Sequence, residues 1–245
     1  MIKFFRHIRK SLIEKNQMGK YFKYAIGEIL LVVIGILIAL QINNWNEKRK
    51  KEILKRSYFA NLIYDLKKDT AQLNYRLEVN KRVLPTIDSL LNVFDTYKSV
   101  ESLYEYLSTN PTPIGLRVNN TYNVNTFNIL ISSGNIDLFS NEFTNKLMEL
   151  NRLQLAEIKV SEGNSASFFN GVANFREQFI DNRGLKNEAL LESITSNYDH
   201  KKYISKYYNL LAAQEHTINR YIELTTRVKL QTEIILADLI SGSGL

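Results

Sequence analysis

Hydrophobic positions follow two patterns along this chain. Over residues 25–42 they are nearly continuous, reading AIGEILLVVIGILIALQI, with residues 29–40 uninterrupted and only Glu28 and Gln41 breaking the run. A helix of ~20 such residues crosses ~30 Å of hydrocarbon at ~1.5 Å per residue. After residue 57 the apolar positions recur at threes and fours, the period of a helix buried along one face. The expected fold is all-α: one N-terminal transmembrane helix followed by an antiparallel bundle of long helices.

The second pattern divides into segments. Phe59, Leu62, Leu66, Leu73, Leu77, Leu84, Ile87, Leu91 and Phe94 form one helical stripe. Pro85 is expected to kink or break it near Leu84, because proline lacks the helix N–H and clashes with the preceding turn. A break at Lys98-Ser99 precedes a short helix over 101–107. Residues 110–125 carry Pro111, Pro113, Gly115 and a run of Asn, the punctuation of a loop. Asn119-Asn120-Thr121 matches a glycosylation sequon, which has meaning only in a eukaryotic secretory setting. The next helix, 126–133, should stop at Gly134, a suitable C′ residue. Ser140 or Asn141 caps a helix over 143–180 with a soft spot at Gly163-Asn164. Its face of Ile158, Phe168, Phe169, Val172, Phe175 and Phe179 reads as core. The stretch 181–184 ends it, and Asn187 caps a short helix to 196. Asp199 opens the last one, where Ile204, Tyr207, Leu211, Ile218, Tyr221, Val228, Ile235 and Leu239 keep near-heptad spacing. Strand candidates are confined to the surroundings of Val118 and Val124.

Charge changes the picture at the flanks. The formal net charge is +7. Lys3, Arg6, Arg9, Lys10, Lys15, Lys20 and Lys23 against Glu14 make residues 1–24 strongly basic, and Lys48, Arg49, Lys50, Lys51, Lys55 and Arg56 against Glu47 and Glu52 make a second basic run. Residues 57–245 are left slightly acidic. Cations beside a span attract anionic lipid, whereas a nucleic-acid-binding domain carries its basic patch on the folded body; nucleic acid is not an expected partner. Residues 1–24 also hold an apolar stripe, Ile2, Phe4, Phe5, Ile8, Leu12 and Ile13, suited to a helix lying on a membrane surface. The expected domains are a basic cytoplasmic tail (1–24), a transmembrane helix (25–45) and an extracytoplasmic helical domain (46–245). Both flanks are basic, and the N-terminal tail decides the orientation because long C-terminal parts translocate regardless of charge. The small-residue cleavage site of a signal peptide is missing from Leu40-Gln41-Ile42, so the span reads as an uncleaved signal anchor. No cytoplasmic output domain is expected in a tail this short. Tyr21, Tyr24 and Trp45 stand at its ends as interfacial anchors.

Within the span, Glu28, Gly35, Ala39 and Ile42 share one helical face. Gly35 and Ala39 form a small-xxx-small pair that lets backbones approach closely. Glu28 either snorkels to the interface or hydrogen-bonds across a helix-packing face; a proton carrier is a third reading, without the ionisable partners such relays use.

Candidate chemistry is sparse. There is no Cys, hence no disulfide, thiol nucleophile or thiolate metal site. His7, His200 and His216 are unpaired with acids at helical spacing, so no metal site is expected, and no phosphate loop or nucleophile elbow occurs. No catalytic residue and no cofactor is expected. Asp65 and Asp69, one turn apart, read as a solvated helix face rather than an acidic pair. The Ser132-Ser133-Gly134-Asn135 loop reads as a turn; its amides offer an anion site as the alternative.

The stretch Tyr24-Ala25-Ile26-Gly27-Glu28-Ile29 through Asn43-Asn44-Trp45-Asn46-Glu47, with Leu62-Ile63-Tyr64-Asp65-Leu66 and Leu130-Ile131-Ser132-Ser133-Gly134-Asn135-Ile136-Asp137-Leu138, resembles an uncharacterised family of bacterial single-span membrane proteins. The resemblance implies an inner-membrane protein with a helical extracytoplasmic, periplasmic domain, and carries over no functional residue. The expected function is non-enzymatic: a membrane-anchored protein acting by protein–protein interaction, as a homo-oligomer or an accessory subunit of an envelope complex. The alternative is an extracytoplasmic small-molecule sensor that signals through a partner.

Overall fold

The computed structural model of the chain describes residues 10, 14, 18–110, 115–116, 121–180 and 186–241, with Tyr21 by its backbone alone. The apolar stripe and His7 of the tail, Pro111, Pro113, Val118, Asn119 and Asn120, the 181–184 terminator and the last four residues lie outside the described residues. The described residues form six helices and no strand: α1 Met18–Thr96, α2 Val100–Thr109, α3 Asn125–Ser132, α4 Asn141–Arg176, α5 Glu188–Thr195 and α6 His200–Ser241, with a 3₁₀ turn at Asn135–Leu138. The chain is thus all-α, with one long apolar N-terminal helix. Two compact units divide it, Met1–Ser57 and Tyr58–Leu245.

In the first unit the helix is apolar on every side over residues 29–40. The large hydrophobic side chains of residues 29–40 are all exposed, from 44% for Val33 to 63% for Ile29. A helix hydrophobic all round belongs in a protein core or a bilayer, and none of its most apolar window is buried. It is long and apolar enough to cross a membrane. Tyr24 and Trp45 are exposed, and the Arg49 guanidinium lies 5.7 Å over the Trp45 ring.

In the second unit α4 and α6 pack antiparallel. Lys146 pairs with Asp238 at 2.7 Å, Gln231 donates to the Lys146 carbonyl at 3.2 Å, and Tyr221 donates to the Ser161 carbonyl at 2.9 Å. Leu62, Leu66 and Leu73 of α1 join Phe143, Leu147 and Leu150 of α4 and Val228, Ile235 and Leu239 of α6 in one apolar core. A second core holds Leu103 and Leu107 of α2, Phe168, Val172 and Phe175 of α4, Phe179, and Tyr207, Leu210 and Leu211 of α6. Edge-to-face ring contacts add to the second: Tyr203 meets Phe175 at 5.3 Å and Phe179 at 5.0 Å between centroids, each contact contributing ~0.5–1.5 kcal/mol beyond its buried area.

Local signals end the helices where the sequence places them. Ser99, Ser140 and Asn187 accept from the amides of Ser102, Phe143 and Leu190, and Asp199 accepts from the Lys202 amide. These side chains satisfy donors that lack an intrahelical partner. Gly134, at φ 70°, takes the left-handed conformation that a Cβ disfavours.

Two expectations change, a break at Pro85 and Phe169 as core. Pro85 lies inside an unbroken α1. Leu77 and Ile87 on either side of it are buried, so packing holds the helix across the one missing hydrogen bond. The helix expected through the soft spot at Gly163 is present: Gly163 lies within an unbroken α4, between the buried Ser161 and Phe168, and a helical glycine costs only ~1 kcal/mol. Phe169 is not core but 47% exposed, because it sits one position, about 100°, off the stripe that buries Phe168.

Candidate functional site

Between the two apolar cores most of the buried positions turn polar, Leu77, Ile218 and Leu224 excepted. On α1 the stripe passes from Leu73 to Arg76 and Asn80, on α4 from Leu150 to Gln154, Glu157 and Ser161, and on α6 from Val228 to Thr225, Tyr221, Thr217 and Gln214. Helical spacing keeps these residues on the faces that bury leucines above and below them.

Glu157 is fully buried. Its Oε1 accepts from Arg76 Nη2 and, at 2.8 Å, from Thr225 Oγ1. Arg76 also donates to Tyr122 Oη and to Thr225 Oγ1, both at 3.3 Å. Removing two charges from water is costly, and a buried pair is tolerable only when further hydrogen bonds accompany it. Tyr221 Oη bonds to Ser165 Oγ and donates to the Ser161 carbonyl; burial pushes the phenol up, and the Ser165 bond opposes this. Gln214 Nε2 donates to the Gly115 carbonyl at 2.9 Å, tying the loop to α6. Glu157 Oε2, Ser161 Oγ and Gln214 Oε1 are buried without a hydrogen-bond partner among the described residues.

A pair of aspartates completes the layer. Asp69 Oδ1 accepts from the Asn123 amide at 2.9 Å and from Asn123 Nδ2 at 2.7 Å, and Asp69 Oδ2 from Gln154 Nε2 at 3.4 Å. Asp65 Oδ2 accepts from the Thr126 amide and hydroxyl at the start of α3. These residues do not form the solvated face expected of them: Asp69 is 1% exposed. They clamp the loop at residues 121–124 and the N-terminus of α3 onto α1, where the orphan helix donors need acceptors.

Burial raises the Asp69 carboxyl above its ordinary 3.8, against the two Asn123 bonds that lower it; the Asp65 charge raises it further and Arg76 opposes. A carboxyl raised on folding binds protons more tightly in the native state. Its contribution is therefore largest below the unfolded value and is lost as pH rises through the folded one. Relative to Asp69→Asn, the native chain is expected to lose stability as pH rises from about 4. Urea unfolding of both chains across that window measures it; parallel pH profiles would remove Asp69 as the titrating group.

The other expected positions stay apart from this layer. Glu28 is half-buried, Gly35 and Ala39 are exposed on α1, and a Cβ at Gly35 would meet nothing within 4 Å. His200 stacks on Tyr104 at 3.8 Å between centroids, and His216 is exposed. The amides of Ser133 and Gly134 donate to the Ile129 and Ile131 carbonyls, so the loop there is a turn. Among the described residues no three His, Asp or Glu side chains converge as metal ligands. Arg76 and Glu157 were missed by motif search. Their signal was a charge at a position where the helical stripe calls for leucine.

No curated protein and no solved structure matches the chain. One family model does, over residues 28–153, a range holding most of the apolar run, both aspartates, Arg76 and Asn123 but stopping short of Gln154 and Glu157. By that match over half its length, the chain belongs to the Family of unknown function (DUF6090).

Proposed function

We propose that this is a bacterial single-span inner-membrane protein whose helical unit acts by binding other proteins, as a homo-oligomer or an accessory subunit of an envelope complex. The carrying observation is the helix surface at residues 29–40, apolar on all sides and exposed. Water opposes such a surface and hydrocarbon accepts it. In this reading Tyr21, Tyr24 and Trp45 sit at the interfaces, the N-terminal tail is cytoplasmic, and the bundle is periplasmic. The basic flanks rest on anionic lipid. Glu28, Gly35 and Ala39 form the face for a second span, with the small residues allowing close approach.

Gentle detergent extraction at native level, followed by sizing and mass spectrometry, tests the reading. A stable second protein or a homo-oligomer is expected. A lone monomer, with no crosslink between cysteines placed at Gly35 and Ala39, would overturn it. One observation favours the second reading, sensing of a small molecule with a partner supplying the output: an open groove runs between α4 and α6.

A further inference from the structure

That groove, open to solvent, has a volume of about 240 Å³ and is lined by Ser167, Phe168, Gly171, Asn174 and Phe175 of α4 and Lys206, Asn209, Leu210 and Ala213 of α6. Its floor is apolar: Phe168, Phe175 and Leu210 are buried core residues. Its rim is polar, and Lys206 is the one charged side chain among the described residues of the lining. Gly171 keeps the floor accessible. A Cβ added there would meet Leu210 Cδ2 at 3.2 Å, so a larger residue would fill the space between the helices.

We infer that this groove is a binding site for a small apolar monocarboxylate, its hydrocarbon or aromatic body against Phe168, Phe175 and Leu210 and its carboxylate on Lys206, flanked by the Asn174 and Asn209 amides. The charges choose the class. One ammonium and two neutral amides match a single negative charge; an ammonium–carboxylate hydrogen bond is a strong, charge-assisted one. A phosphate, with more charge to neutralise, calls for further cations that the rim lacks. An amine would face Lys206 with no acid in the lining. Sites of this kind combine an apolar body pocket with few orienting polar groups. The next groove along the same helices, between Val160, Asn164, His216, Asn219, Arg220 and Glu223, has its cation already paired, Arg220 with Glu223.

The inference supplies a ligand class for the sensing reading but rests on the groove alone. A chain that binds the carboxylate without altering its co-purifying proteins would end the sensing reading and leave the site standing.

Isothermal titration calorimetry of the full chain in nanodiscs, with empty discs subtracted, tests the site using sodium benzoate, benzamide and benzylamine. Benzoate is expected to bind at least about tenfold more tightly than its neutral isostere, and benzylamine not at all. Lys206→Gln should weaken benzoate about tenfold and leave benzamide unchanged. Ala213→Phe, at an exposed lining position, should abolish both. Equal affinities for benzoate and benzamide, an unchanged benzoate affinity in Lys206→Gln, or no benzoate binding at millimolar concentration by natively folded protein would each overturn the proposal.

Discussion

Glu157→Ala is expected to destabilise the bundle by about 3 kcal/mol, the lower end of the range for breaking a buried pair. The loss takes from Arg76 the carboxylate it bonds, leaving Asp69 as a charge that acts on it within the layer; the Arg76 side chain is 12% exposed and keeps Tyr122 and Thr225 as neighbours. Thr225 Oγ1 also loses its acceptor. Arg76→Leu combined with Glu157→Leu should behave differently. It removes both desolvation costs and extends the leucine stripe, so stability should fall within about 1 kcal/mol of the native chain or exceed it. The layer then specifies register rather than supplying net stability. Urea unfolding of the full chain in micelles, followed by far-ultraviolet circular dichroism, measures both. A single-variant cost below about 1 kcal/mol would show the pair to be energetically idle.

Replacing Ile34 and Ile38 together by lysine should remove the chain from membranes. Each lysine near the centre of a span costs ~2.5–3.5 kcal/mol on insertion scales, so the pair costs roughly 6 kcal/mol. Gly35 and Ala39 stay in place, which separates insertion from helix packing. The native chain should remain with carbonate-washed membranes and the variant should not. Retention of both chains, or release of both, would remove the span.

The membrane-type helix was legible because it needs no partner from the rest of the chain. Continuous hydrophobicity over residues 25–42 is a property of neighbours in sequence. The caps at Ser140, Asn187 and Asp199 were legible for the same reason: each satisfies an amide three residues on. At Pro85 the expected break does not occur, and at Gly163 the helix runs on as its sequence pattern predicts. Their local cost is fixed, but whether a helix survives it depends on burial gained on both sides, and that burial comes from other helices.

Asp65, Asp69, Arg76 and Glu157 mark the limit more sharply. On its own helix, Asp69 has the spacing of a solvated face. It is buried because Asn123 lies 54 residues away in sequence and donates to it twice; Glu157 is buried against Arg76 across 81 residues. Local periodicity determined that this chain is all-α, that one helix is apolar all round, and where most helices begin. The tertiary structure alone decided which polar residues share a layer and where a groove opens between α4 and α6. Hydrogen-bond partners and cavities come from distant segments meeting, and no sequence period records which segments those are.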